Sequence, residues 1–105
     1  MGLITKIYQI TNAFPSNERF GLTSQMQRAA VSVATNIAEG SAKSSNKDFA
    51  RFLEMSVGSL LELETELTVS FNLKYIEDET CKILLDELIE LQKMISSFKK
   101  RLNND

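Results

Sequence analysis

The sequence predicts an all-α fold: an antiparallel up-down-up-down four-helix bundle with a short first helix, built as one domain over residues 1–105. Apolar residues recur at helical spacing along most of the chain. The four periodic segments are separated by short polar links, the pattern of antiparallel neighbours. One proline and four glycines are too few for the many turns of an all-β protein. At 105 residues, 43% of them apolar, the chain can bury one core but not two, and it is not polar enough to stay disordered.

The first helix is expected from about Leu3 to Asn12, with Leu3, Ile7 and Ile10 on one stripe and Ile4 and Tyr8 beside it. Phe14-Pro15 ends it, because a residue before proline avoids the helical region. A second helix opens at Thr23 or Ser24, either of which can cap free amides, and runs to Glu39. Gly40 then suits the left-handed position after a helix. Met26, Ala29, Ala30, Val33 and Ile37 form the stripe of this helix, and its alanines let a neighbouring backbone come close.

Ser44, Ser45 or Asn46 caps a long third helix, roughly Lys47 to Lys74, with Phe49, Phe52, Leu53, Leu60, Leu63, Leu67 and Phe71 facing inward. The fourth helix starts near Asp78 and Glu79, whose charge suits a helix N-terminus. Its Leu84, Leu88, Leu91, Ile95, Phe98 and Leu102 step alternately by four and three, the seam of a coiled coil. At about 1.5 Å per residue the third helix spans roughly 42 Å and the first only about 15 Å. So short a helix leaves part of the groove along the other three open, and an exposed apolar groove marks an interface. Oligomerisation is therefore expected.

Histidine is absent, which removes the commonest general base, the Ser-His and Cys-His pairs, and nearly every zinc-site type. The single cysteine, Cys81, rules out an intrachain disulfide and reads as a small buried residue in a reducing cytoplasm. No catalytic residue, metal or cofactor is predicted, and the protein is read as a non-enzyme. No apolar run approaches the roughly 18 residues of a membrane span and no export signal is visible, so no membrane partner is expected.

Charge is segregated along the chain. Residues 1–53 carry six basic and three acidic groups, residues 54–90 two and ten, and residues 91–105 four and one. A polyanion would meet the two ends of the chain and avoid its middle. Lys99, Lys100 and Arg101 form one basic cluster and Lys43, Lys47 and Arg51 another, neither with the interleaved aromatics of a base-stacking surface. These six are the candidate phosphate contacts.

Arg28, Ser32 and Asn36 make a polar line on an otherwise apolar helix, with Glu39 one turn further at a C-terminus that disfavours an anion. Glu39 calls for a partner among Lys43, Lys47, Arg51 and the first amides of the third helix, and Arg28 can meet Glu62. Arg28, Ser32, Asn36, Glu39 and Glu62 are therefore read as a structural polar network. Gly58, in mid-helix, is read as a close-packing position against the alanine-rich second helix. Of Glu62, Glu64 and Glu66 only the first and last share a face, and all three read as solvated.

Phe14-Pro15, Phe20-Gly21-Leu22-Thr23-Ser24-Gln25, Arg28-Ala29-Ala30, Ser32 and Asn36-Ile37-Ala38-Glu39-Gly40 resemble the 23S rRNA-intervening sequence proteins. The likeness continues through Ser44, Asp48-Phe49, Phe52-Leu53, Gly58-Ser59-Leu60 and Glu62-Leu63-Glu64-Thr65. It implies a bacterial, cytoplasmic four-helix bundle that assembles as a homopentameric ring, and it places the start of this chain inside the first helix of the family. Some members are encoded within insertions in ribosomal RNA genes, so structured RNA or another nucleic acid is the implied partner. A related branch, the accessory variability determinant of diversity-generating retroelements, is basic and binds nucleic acid and a reverse transcriptase; this chain departs from it in being acidic. The expected function is thus a non-catalytic oligomeric scaffold for nucleic acid. The alternative is an interaction module for a basic protein encoded at the same locus, docking on the acidic span 54–90.

Overall fold

The computed structural model describes residues 2–104. Met1 and Asp105, the two ends of the expected 1–105 unit, lie outside the described residues. Four α-helices make up the fold: α1 (Gly2–Asn12), α2 (Leu22–Ser41), α3 (Asn46–Asn72) and α4 (Asp78–Asn104), with a 3₁₀ turn at Ser16–Glu18 and no strand among the described residues. α2 packs on α3, α3 on α4, and α1 on α2.

The α2–α3 seam is built of small side chains. Ala29, Ala30 and Val33 of α2 are buried, and facing them α3 buries Ser56 and Ser70. The Ser56 hydroxyl donates to the Val33 carbonyl at 2.9 Å, and that of Ser70 to the Glu66 carbonyl at 2.8 Å, so neither buried hydroxyl is left unpaired. Ser70 Oγ also lies 3.5 Å from the Met26 sulfur. Positions rise on α2 as they fall on α3, so these two helices run in opposite directions. The same holds for α3 and α4, where Leu67 meets Cys81 and Phe49 meets Phe98.

The remaining core is Leu3, Ile7 and Phe14 from the first segment, Leu53, Leu60, Leu63 and Leu67 from α3, and Leu84, Leu88 and Ile95 from α4. Phe71 is the exception to the inward stripe expected on α3: it is 38% exposed. At that level bulky Met26 fills the seam, and small Ser70 takes the inward position.

Helix boundaries follow local chemistry. Ser45 caps α3 by accepting from the Asp48 amide at 3.1 Å. α2 begins at Leu22, ahead of the expected Thr23 or Ser24 cap, and it is Glu18 that accepts from the Leu22 amide, at 3.4 Å. Gly40 is helical, with no positive φ; the left-handed residue is Lys74, at φ 64°. Lys74 N–H bonds the Phe71 carbonyl and Tyr75 N–H the Ser70 carbonyl, both at 2.9 Å, closing α3 with a Schellman motif.

Gly40 does the packing expected of Gly58. A Cβ on Gly40 would lie 2.8 Å from both Phe49 and Phe52, whereas one on Gly58 would meet nothing within 4 Å. Close packing within the chain therefore does not explain Gly58, because it sits on the outward face of α3.

α1 covers only part of the 46 Å length of the molecule. Its start, at Leu3 and Lys6, borders a shallow groove with Glu87, Leu91 and Met94 of α4, and Lys6 pairs with Glu87. The segment after it turns at Phe14, whose ring lies 5.2 Å from that of Tyr75. The start of α3 and the end of α4 thus extend beyond its reach.

Candidate nucleic-acid interface

The two basic clusters, separate in sequence, lie at one end of the molecule. The rings of Phe49 on α3 and Phe98 on α4 lie 5.4 Å apart, which puts the α4 segment carrying Lys99, Lys100 and Arg101 at the same end as the start of α3 and the link before it that carries Lys43. Lys47 and Arg51 sit in the opening turns of α3, at the same end. Against these six cations the flanking stretches 39–52 and 98–104 contribute two acidic groups, Glu39 and Asp48. Asp48 pairs with Arg51 at 3.8 Å, a wide and exposed contact that takes little from the positive field.

Aromatic rings lie beneath both clusters, contrary to the sequence reading. Lys43 Nζ is 5.0 Å from the centroid of the Phe52 ring, and Arg51 Cζ is 5.5 Å from the same centroid. Arg101 Cζ is 5.6 Å from the centroid of Phe98, a ring that is 40% exposed. Spacing in the sequence hid this, because Phe49, Phe52 and Phe98 all counted as core positions of their helices.

The acidic span occupies the second half of α3 and the first half of α4, and the antiparallel pairing carries both to the other end. The acidic span thereby lies away from the six cations, although Arg19 sits over the Phe20 ring at the acidic end, 5.5 Å from its centroid. Glu18 and Phe20 lie at that acidic end: Glu18 accepts from the Tyr75 hydroxyl at 2.9 Å, a bond that raises the pKa of Tyr75, and Phe20 is 90% exposed.

The expected polar network is smaller than its five residues. Asn36 donates to the carbonyl of Ser32 at 2.9 Å and to its hydroxyl at 3.1 Å, and Ser59 bonds that hydroxyl across the seam at 3.1 Å. Ser59 lies outside the five residues expected from the sequence. Arg28 and Glu62 border the same open groove of about 860 Å³, with Tyr8 and Gln25, but both are exposed and they form no ion pair among the described residues. Glu39 is likewise exposed and unpaired among them: the helix end faces water, which solvates the charge without a protein partner.

Glu66 departs furthest from its expected solvated place. It is 6% exposed, and its Oε1 has no hydrogen-bond partner among the described residues. It sits on the α2-facing side of α3, between the levels of the Ser59–Ser32 and Ser70–Met26 contacts. Burial, then the adjacent Glu62 carboxylate, push its pKa up to about 7. Cys81 is buried as expected, and burial raises its thiol pKa, which keeps it unreactive. Among the described residues no group of three or more acidic or cysteine side chains converges as a metal site, and no helix is long and apolar enough to cross a membrane.

The family model of the 23S rRNA-intervening sequence protein matches residues 1–97. The chain belongs to this family. A solved structure with the same fold is a protein of unknown function from the S23 ribosomal protein family of Bacteroides thetaiotaomicron; it is 24% identical, the match covers 92% of this chain and 88% of that one, and the TM-score is 0.80. No curated protein matches the sequence. Membership of the 23S rRNA-intervening sequence protein family accords with the four helices and leaves the role of the basic end to be argued from its chemistry.

Proposed function

We propose that this protein is a non-catalytic, homo-oligomeric scaffold in the cytoplasm whose basic end contacts the phosphates of structured RNA or another nucleic acid. The observation that carries the reading is that the Phe49–Phe98 contact puts the segments carrying Lys43, Lys47 and Arg51 and those carrying Lys99, Lys100 and Arg101 at one end of the molecule. In the proposed assembly an up-down-up-down bundle repeats as a pentameric ring, which multiplies that patch around an axis and makes binding steeply salt-dependent. Met55, Leu61 and Val69, 51%, 50% and 41% exposed on the outward side of α3, supply apolar surface for contact between copies.

Titration of the protein with structured RNA at rising salt tests this reading. Affinity should fall steeply from about 50 to 200 mM salt, and replacing Lys43, Lys47 and Arg51 by Gln should lower the slope by about 2 to 3. Absence of binding at about 50 mM salt, or binding indifferent to salt, overturns the phosphate contacts. Sedimentation that finds only monomer at micromolar concentration overturns the ring.

A second reading is supported by the acidic span and by Phe20, 90% exposed beside it. There the protein is an interaction module for a basic partner, such as a reverse transcriptase encoded at the same locus, with no direct nucleic-acid contact. Recovery of a basic protein free of nucleic acid, lost on Phe20→Ser, selects it.

A further inference from the structure

Resting on the phosphate reading above, we propose that the basic end selects unpaired nucleotides, whose bases stack on Phe98 and Phe52, over duplex RNA. Phosphate contact alone needs cations and no rings, yet here three of the six cations lie over aromatic faces: Lys43 and Arg51 over Phe52, and Arg101 over Phe98. Phe98 is 40% exposed although it belongs to the apolar seam of α4. Phe49 buttresses the Phe98 ring at 5.4 Å, and the backbone at Gly40 leaves just the room that Phe52 occupies. The rings are thus held in place.

A cation resting on a ring face occupies the position that a base would take. When an unpaired nucleotide arrives, the long Arg or Lys side chain swings from ring to phosphate, and the base takes over the ring. One move exchanges a cation–π contact for a phosphate pair and a stacked base. Bases inside a duplex are already stacked on one another and offer no free face. A duplex therefore gains the phosphate contacts alone. The remaining cations, Lys47, Lys99 and Lys100, have no ring and supply the sequence-independent attraction.

The chain contains no tryptophan, so Phe98→Trp places a single indole at the site. With the full chain, its emission is followed during titration with a 15-nucleotide single-stranded oligouridylate and oligoadenylate, and with the duplex they form. The single strands should quench the indole strongly and the duplex far less. In parallel, anisotropy of labelled single strands at 50 and 200 mM salt compares the unmodified protein with Phe98→Leu. The Leu variant should lose about tenfold in affinity while keeping its salt slope. Circular dichroism identifies a variant that fails to fold, and the Trp variant then decides alone. Unchanged indole emission at saturation, or equal affinity for single strand and duplex with a normal salt slope, overturns the stacking inference and leaves the phosphate reading standing. No binding of any of these RNAs at 50 mM salt overturns both.

Discussion

The ring of Phe49 in the first turn of α3 packs against the ring of Phe98 near the end of α4, centroids 5.4 Å apart and planes tilted by 56°. This contact joins the end of the molecule that α1 does not reach, and it puts the two basic clusters at that end. Phe49→Ala should cost about 2 kcal/mol, less than the full value for a buried ring because both partners are partly exposed. Amide exchange should show lost protection concentrated in the last two turns of α4, with the acidic end unaffected.

The two helical glycines of the long helices should respond oppositely to alanine. At Gly40 the new methyl meets Phe52 Cβ at 2.8 Å, an atom that cannot swing away, so Gly40→Ala should destabilise by about 1–3 kcal/mol despite its better helix propensity. At Gly58 nothing lies within 4 Å, and Gly58→Ala should stabilise by about 0.5–1 kcal/mol. Denaturant melts at a fixed protein concentration check both signs.

Glu66 makes stability depend on pH. Its pKa is raised from 4.5 to about 7 by burial and by the neighbouring Glu62. Between those values the unfolded chain has lost the proton that the folded chain keeps, so stability falls as pH rises from about 4.5 and levels off above about 7. The change amounts to roughly 2–3 kcal/mol. Glu66→Gln should remove this dependence, making the variant more stable than the parent at pH 8 and similar to it at pH 4.5. Urea midpoints across that range read the result, and an unchanged slope in the variant would show that Glu66 is not its source.

Lys74 holds the left-handed position that glycine prefers, at φ 64°. Lys74→Gly should therefore stabilise by about 0.5–1 kcal/mol, since the Schellman bonds of Lys74 and Tyr75 are made by the backbone and survive the change. A thermal midpoint raised by a few degrees is expected.

The sequence alone determined the four helices and the coiled-coil seam of α4, and it narrowed the α3 cap to Ser44, Ser45 or Asn46, because each depends on spacing or on a neighbour within a turn. It also determined the charge blocks. What it could not decide was set by contacts between helices. Gly40 and Gly58 look alike as glycines within helical segments, and only the position of the Phe52 backbone distinguishes them. Glu62 and Glu66 share one face by spacing, yet α2 covers one and leaves the other in water. Arg28 and Glu62 had the charges for a pair, but a pair needs side chains that approach, and theirs stay apart on an open groove. The placement of two basic clusters at one end, with cations over Phe52 and Phe98, arose only when antiparallel packing laid the end of α4 against the start of α3: periodicity assigns a residue to a face of its own helix, and only the neighbouring helix decides whether that face is covered.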